Sequence, residues 1–168
     1  MYSNTKKANK IIIPLLSLML FATSSYAKNV KHNIPESENT CLAKSIYYEA
    51  RGEPELGKKA VAKIILNRKS HNKFPKSICK VINEVRYVKG KKRCQFDFVC
   101  SGEKINNRGN SWDKAQKLSN LILTHQTSLP NFGPNVLFFK HVDVKRSFGK
   151  GYVHVSTIGK HKFFMKNV

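Results

Sequence analysis

Acidic side chains are scarce in this chain of 168 residues, which has ten Asp and Glu against 31 Lys and Arg and a formal net charge of +21. Three of the ten acids, Glu49, Glu53 and Glu55, nevertheless fall within seven consecutive positions. A protein so poor in carboxylates that gathers several of them in one stretch is expected to use at least one of them chemically. This stretch is therefore the first candidate for a functional site.

Long apolar runs are also lacking after residue 27, so no later segment is predicted to span a membrane. The one such run, residues 11–21, follows Lys6, Lys7 and Lys10 and precedes Ser25-Tyr26-Ala27. This order is typical of a secretory signal peptide cut after Ala27. A membrane anchor is the alternative, but the run is well short of the ~20 residues that a spanning helix needs. We expect residues 1–27 to be removed and the protein to be exported, periplasmic or secreted, without stable membrane insertion.

The excess of Lys and Arg over Asp and Glu remains after removal of the signal peptide, which carries three lysines and no acid. A strongly basic protein indicates a polyanionic partner or an anionic surface, and nucleic acid is the usual candidate. Export makes an anionic envelope surface the better expectation, and no nucleic-acid partner is predicted. A basic surface that only aids solubility is the alternative.

Cysteine is limited to four residues, and no Cys-x-x-Cys or Cys-x-x-His pair occurs. The absence of such pairs disfavours a zinc site, and the absence of a His-Glu-x-x-His run disfavours a zinc peptidase. An even number of cysteines in an oxidising compartment favours two disulfides, for which three pairings exist. The short interval makes Cys94–Cys100 easy to close, and Cys41–Cys79 then remains. No metal or cofactor is expected.

The order of patterns predicts one mainly helical (α+β) domain at residues 39–168, after a flexible lead-in at 28–38. Helices are expected at 41–51, capped by Asn39 or Thr40, and from Glu53-Pro54-Glu55 to 68. A short helix or turn at 78–85, a cationic loop at 86–93 and a helix at 112–125, capped by Ser111, follow. Strands at 136–144 and 152–158, joined by 145–151, predict a small C-terminal β hairpin.

Glu49 is the acid that local rules do not explain. Leu42, Ile46 and Glu49 are spaced i, i+4, i+7, so the carboxyl shares a helix face with apolar side chains. Apolar surroundings raise the pKa of a carboxyl and let it hold a proton near neutrality. It also lies at the negative end of its helix, whereas Glu53 and Glu55 suit the positive start of the next one. We predict that Glu49 is a general acid/base.

The sequence resembles the SleB-type cell wall hydrolases over most of residues 42–163. The resemblance rests on motifs in the family's order: Glu49-Ala50-Arg51-Gly52-Glu53, Leu66-Asn67-Arg68, Phe74-Pro75-Lys76-Ser77-Ile78, Cys94-Gln95-Phe96, Cys100-Ser101-Gly102, Trp112-Asp113-Lys114-Ala115, and Ile158-Gly159-Lys160-His161-Lys162-Phe163. It implies a lysozyme-like, lytic-transglycosylase-like fold that acts on peptidoglycan glycan strands, with the catalytic glutamate at Glu49. A monomer is expected.

The resemblance implies cleavage between N-acetylmuramic acid and N-acetylglucosamine with one catalytic glutamate and a 1,6-anhydro product. Asp97 stands where the family commonly has serine; as a second carboxylate it would give a lysozyme-like muramidase, and hydrogen bonding within its loop is the alternative. Arg51 is expected to pair with Glu49. The candidates for substrate binding are Tyr48, Asn67, Gln95, Phe96, Asp97 and His141.

Three other functions remain as alternatives. A non-catalytic cationic wall-binding protein would keep the fold without cleaving bonds. An exported nucleic-acid-binding or bacteriocin-like protein would bind polyanions with a steep dependence on salt. An amidase that releases the stem peptide would need a metal site, which the sequence does not predict.

Overall fold

The computed structural model of this protein describes residues 36–105 and 109–167, which fall within one compact unit, His32–Val168. The predicted signal peptide (residues 1–27) and most of the predicted lead-in (28–38) lie outside the described residues. Within the described ranges, no helix is both long and apolar enough to cross a membrane.

The described residues form five helices and two small antiparallel sheets, which confirms the predicted α+β class. The helices are α1 (Glu36–Ala50), α2 (Glu55–Ser70), α3 (Ile78–Ile82), α4 (Asp97–Ser101) and α5 (Ser111–Leu123). The strands are β1 (Val85–Val88), β2 (Lys91–Cys94), β3 (Val136–His141), β4 (Tyr152–Ile158) and β5 (His161–Lys166).

Helix α1 is the centre of the main hydrophobic core and packs against α2, α3 and α5. Its apolar stripe is fully buried, with Leu42 and Ile46 both 0% exposed. Burying an aliphatic side chain of this size contributes about 1.5–3 kcal/mol, so the stripe fixes the rotation of α1. That rotation determines where Glu49, one turn further on, must lie.

Helix α2 is buried on two sides, which explains its long apolar stretch. Val61 and Ile65 join the core around α1, whereas Ala60 and Ile64 pack with Phe163 of β5 in a second cluster. The helix therefore joins the helical part of the domain to the three-stranded sheet. Residues at its C-terminal end can reach both.

Both predicted disulfides are present. Cys41–Cys79 joins α1 to α3, with the two Cα atoms 5.3 Å apart. Cys94–Cys100 joins the end of β2 to α4 across only six positions, with a Cα–Cα distance of 5.8 Å. The second bridge closes the segment that contains Gln95, Phe96 and Asp97.

The predicted start of the first helix is wrong, because α1 begins at Glu36 rather than near Cys41. Glu38 was assigned to the flexible lead-in, but its carboxylate accepts the N–H groups of Ile78 and Cys79 at the start of α3. Asn39 does not cap the helix; its backbone carbonyl lies inside α1 and accepts the hydroxyl of buried Ser119. These tertiary contacts favour an earlier start than the sequence alone indicates.

The predicted hairpin between residues 136–144 and 152–158 is also wrong. The sheet order is β3-β5-β4, so β5 lies in the middle and pairs with both other strands. The actual hairpin is β4–β5, which turns at Gly159 with a positive φ of 56°. Phe163 of β5 is 0% exposed and anchors the sheet on α2.

Two further local predictions need correction. The predicted cationic loop at 86–93 is the hairpin β1–β2, which turns through Lys89 and Gly90, both with positive φ. Its side chains are mostly exposed, so the apolar alternation that identifies a strand is missing. Ser111 is the first residue of α5 and not its cap, a position that Asn110 occupies.

Candidate active site

Glu49 lies in the last turn of α1 and lines a concave cavity of about 300 Å³. The cavity is built from α1, the end of α2, the segment at β2–α4 and the sheet. Its other lining residues are Arg68, Gln95, Phe96, Asp97, Phe139, Lys140, His141, Val144 and His161. Residues far apart in sequence thus meet around a single half-buried carboxyl.

The pKa of Glu49 is raised to about 7. Burial is the main cause, because it penalises the charged form, and repulsion from Asp97 adds to it. The guanidinium of Arg68 acts in the opposite direction, and Glu103 contributes a smaller upward shift. The carboxyl is therefore poised to hold a proton near neutral pH and to release it there.

Arg68 is the cation that acts on Glu49, and the sequence did not single it out for the site. Its side chain is 3% exposed, and Nε donates to the carbonyl of Leu137 at 2.8 Å. Burial lowers its pKa to about 10, which still leaves it charged at neutral pH. Within the described part of the chain, buried Nη1 has no hydrogen-bond partner. Arg68 thus presents a donor and a positive charge to the cavity.

Arg51, the predicted partner of Glu49, is placed elsewhere. Its guanidinium carbon lies 5.3 Å from the centre of the Tyr47 ring, and the side chain is exposed. Glu53 and Glu55 do not join the site either. Glu55 is exposed and pairs with Lys59, and buried Glu53 accepts the N–H of Lys160 at the β4–β5 turn. The chain therefore places one glutamate of the three in the cavity.

The segment closed by Cys94–Cys100 brings Gln95, Phe96 and Asp97 to the cavity. The backbone N–H of Gln95 donates to the carbonyl of Glu84 at 2.9 Å, which fixes the segment to the β1–β2 hairpin. Phe96 is only 4% exposed and belongs to the main core, so it forms a wall more than a binding surface. Asp97 begins α4, is exposed, and raises the pKa of Glu49.

Two histidines face each other across β3 and β5. His141 and His161 are register partners, with ring centres 5.7 Å apart. Burial lowers the pKa of His161 and so favours its neutral ring. Its Nδ1 is buried without a hydrogen-bond partner among the described residues. His161 was not predicted for the site, because its position on a central strand depends on the sheet order.

Tyr48 and Asn67 are not among the residues that line this cavity. The hydroxyl of Tyr48 donates to the carbonyl of Glu103 at 2.8 Å, and its ring stacks on Phe98. The amide of Asn67 donates to the carbonyls of Gly133 and Val136 at 3.0 Å each, so it holds the start of β3. Their positions favour roles in the fold over the predicted contacts with sugar.

Two further cavities share lining residues with the Glu49 cavity. A cavity of about 490 Å³ shares Gln95 with it, and one of about 340 Å³ shares Phe139, Lys140 and Val144. Glu49 lines only the smallest of the three cavities, and the other two are its neighbours. In the described residues, no cluster of three or more His, Cys, Asp or Glu is placed to hold a metal ion.

The family model described as Cell Wall Hydrolase matches residues 52–164 of this chain. The match includes the cavity residues contributed by α2, the β2–α4 segment and the sheet. It begins three positions after Glu49, so the assignment of the acid rests on its geometry.

Curated relatives match a shorter segment. The spore cortex-lytic enzymes of Bacillus cereus and Bacillus subtilis are 41% identical to this chain over 58 residues. That segment is 34% of this chain and 22% and 19% of the two enzymes. The chain thus spans about a fifth of the length of these relatives.

Solved structures match most of the chain. The catalytic domain of the germination-specific lytic transglycosylase SleB from Bacillus anthracis has a TM-score of 0.57 and 28% identity, covering 80% of this chain and 99% of that domain. The catalytic domain of Bacillus cereus SleB has a TM-score of 0.55 and 26% identity, covering 82% and 96%. These likenesses confirm the predicted lysozyme-like fold.

Proposed function

Because the chain belongs to the cell wall hydrolase family, we propose that it is a peptidoglycan-cleaving enzyme with Glu49 as its general acid/base. We further propose that it cuts the bond between N-acetylmuramic acid and N-acetylglucosamine as a lytic transglycosylase. The observation that carries the proposal is a half-buried carboxyl, with its pKa raised to about 7, that lines a cavity together with Arg68, Asp97 and His161. The likeness to the SleB catalytic domain, described as a lytic transglycosylase, supports it.

The first step uses the protonated form of Glu49. Its carboxyl donates a proton to the glycosidic oxygen while the bond from that oxygen to C1 of N-acetylmuramic acid breaks. An oxocarbenium-like centre forms at C1, and the N-acetylglucosamine side leaves as an alcohol. The guanidinium of Arg68 then stabilises the Glu49 carboxylate that remains, consistent with its downward effect on the pKa of Glu49.

The second step returns the proton. The Glu49 carboxylate removes it from the 6-hydroxyl of the same muramic residue, and that oxygen bonds to C1. The product carries a 1,6-anhydro ring and no water is consumed. One acid/base is sufficient for both steps, so the mechanism does not require a second carboxylate.

Gln95, Asp97 and His141 remain candidates for substrate binding, because each lines the Glu49 cavity. The buried donors and acceptors of Arg68 and His161 extend this set. Sugar hydroxyls and N-acetyl groups can form hydrogen bonds with Nη1 of Arg68 and Nδ1 of His161. Each such bond would remove the free-energy penalty of about 1–3 kcal/mol of a buried polar group without a partner.

A muramidase that uses Asp97 as its second carboxylate is the alternative. The observation in its favour is that Asp97 lines the same cavity and its charge acts on Glu49. In that reaction Asp97 would attack C1 or orient a water molecule there, and the product would have a reducing end.

The decisive experiment compares Glu49→Gln with wild type on purified peptidoglycan. Loss of the general acid should reduce cleavage by about 10²–10⁴-fold, whereas a control, Glu55→Gln, removes an exposed acid and should keep full activity. If Glu49→Gln cleaves as well as wild type, the catalytic assignment is wrong. If neither protein cleaves but both sediment with the wall, the protein is a non-catalytic wall-binding protein.

Mass analysis of the soluble products separates the remaining reactions. Anhydro-muramic ends support the transglycosylase, reducing ends support the muramidase with Asp97, and free stem peptides support an amidase. For Asp97→Asn, the transglycosylase predicts unchanged products, whereas the muramidase predicts loss of cleavage.

We also propose that the protein works outside the cytoplasm, in the periplasm or after secretion, as a monomer on an anionic envelope surface. The signal-peptide pattern of residues 1–27 supports the location, and the excess of basic side chains that remains after its removal supports the anionic surface. N-terminal sequencing of the protein from its native compartment tests it, with Lys28 expected as the first residue.

A further inference from the structure

The 490 Å³ cavity next to Glu49 has a chemistry of its own. Its lining combines three cations with three aromatic rings: Lys73, Arg86, Lys166, Phe74, Phe138 and Tyr152. Among the described residues, no aspartate or glutamate lines it. We refer to this space as the cationic–aromatic cavity.

Two of its cations are available to a ligand. Arg86 is already paired with Glu84, with 2.7 Å between Nη2 and Oε1. Lys166 lies 5.6 Å from the centre of the Tyr152 ring, and Lys73 is exposed. Within the described ranges, neither lysine forms an ion pair with a carboxylate. A ligand with carboxylates would therefore find two positive charges that the fold does not neutralise.

The position of the cavity relates it to the scissile bond. Gln95 lines both this cavity and the one that contains Glu49, so the two cavities are neighbours. The glycan strand itself supplies hydroxyl and N-acetyl groups, whereas the acidic peptide on each muramic residue supplies carboxylates and short aliphatic side chains. The rings of Phe74, Phe138 and Tyr152 suit the aliphatic parts, and the lysines suit the charges.

We propose that the cationic–aromatic cavity binds the acidic stem peptide of the strand whose glycan bond lies at Glu49. The substrate is then a peptide-bearing glycan, and strands without peptides bind less well. This inference depends on the proposed cleavage of peptidoglycan. A volume of about 490 Å³ is within the usual range for ligand sites.

The test is a double variant, Lys73→Gln with Lys166→Gln, assayed on peptide-bearing strands and on the same strands after an amidase has removed the peptides. On peptide-bearing strands kcat/KM should fall roughly five- to tenfold, mainly through KM, since each partly exposed ion pair contributes modestly. On peptide-free strands the change should stay within about twofold. A charge-matched control, Lys114→Gln with Lys117→Gln, removes two exposed lysines of α5 outside the cavity and should match wild type on both.

Each result has one interpretation. Equal losses on both substrates mean that the lysines serve the glycan, and no loss on either means that the cavity is not part of the substrate site; both overturn the inference. Cleavage of neither substrate by wild type contradicts the proposed function instead. A loss confined to peptide-bearing strands supports the inference.

Discussion

The proton on Glu49 is held by a balance between burial and the charges nearby. Burial and the charge of Asp97 raise the pKa, and Arg68 lowers it, with a result of about 7. A carboxyl with the unperturbed pKa near 4.5 would be almost fully ionised at neutral pH and would have no proton to donate. A cation closer to Glu49 would lower its pKa and leave the carboxyl ionised at neutral pH. The site therefore combines a half-buried acid with a buried arginine that remains charged at neutral pH.

The pH dependence of cleavage follows from this balance. For the free enzyme the active form has protonated Glu49, so kcat/KM should fall about tenfold per pH unit above pH 7. Asp97→Asn removes a charge that disfavours the carboxylate, so the pKa of Glu49 should decrease and the alkaline limb should move to lower pH. The measurement is kcat/KM against pH for both proteins at constant ionic strength.

Asp113→Asn is the control for this experiment, because Asp113 is an exposed acid at the start of α5 and does not line the cavity. Its profile should coincide with that of wild type. A limb that stays in place in Asp97→Asn, or moves to higher pH, would contradict the electrostatic role of Asp97.

At the scale of elements, the two disulfides have different tasks. Cys41–Cys79 closes 38 positions between α1 and α3, whereas Cys94–Cys100 closes only six. The first joins elements of the main core. The second holds the short segment that carries Gln95, Phe96 and Asp97 into the cavity. Stability and site geometry should therefore depend on different bridges.

Replacing each pair of cysteines by alanine separates these tasks. Loss of Cys41–Cys79 should lower the free energy of unfolding by about 4 kcal/mol and loss of Cys94–Cys100 by about 2 kcal/mol, because the longer loop regains more entropy when unfolded. Activity at a temperature where both variants are folded should show the reverse order, with the greater loss for Cys94–Cys100. Denaturant unfolding and initial cleavage rates provide the two measurements; a loss of activity that simply follows stability would refute this division.

At the scale of the whole molecule, the sequence predicted those features that are set by residues close together in the chain. The stripe of Leu42 and Ile46 placed Glu49 on the buried face, and the short interval between Cys94 and Cys100 indicated their bridge. Sheet order could not be derived in this way. In β5, Phe163 has lysine at position 162 and a second lysine at 166, so the strand lacks a clear apolar alternation although it is central.

The two cavity residues that the sequence did not predict, Arg68 and His161, also depend on the sheet order. Arg68 reaches the cavity because its guanidinium is held by the carbonyl of Leu137, a contact between α2 and β3 across 69 positions. His161 lines it because β5 pairs with β3 and places His161 opposite His141. The Asn67-Arg68 pair in the family motif was the only sequence signal for Arg68. The prediction chose Asn67 from this pair, whereas Arg68 is the residue that lines the cavity. Chemistry at Glu49 thus depends on the three-stranded sheet as much as on the helices.

The excess of basic side chains that remains after loss of the three signal-peptide lysines makes attachment to an anionic wall sensitive to salt. Glu49→Gln, which should bind without cleaving, isolates this effect. Its co-sedimentation with purified peptidoglycan sacculi should fall as NaCl is raised from about 50 mM to about 500 mM, because the Debye length shrinks from roughly 14 Å to roughly 4 Å. For wild type, KM should rise over the same range while kcat changes little, since long-range attraction assists binding and Glu49 performs the chemistry. Binding that is indifferent to salt would show that contacts in the Glu49 cavity and its neighbours, and not the surface charge, retain the protein on the wall.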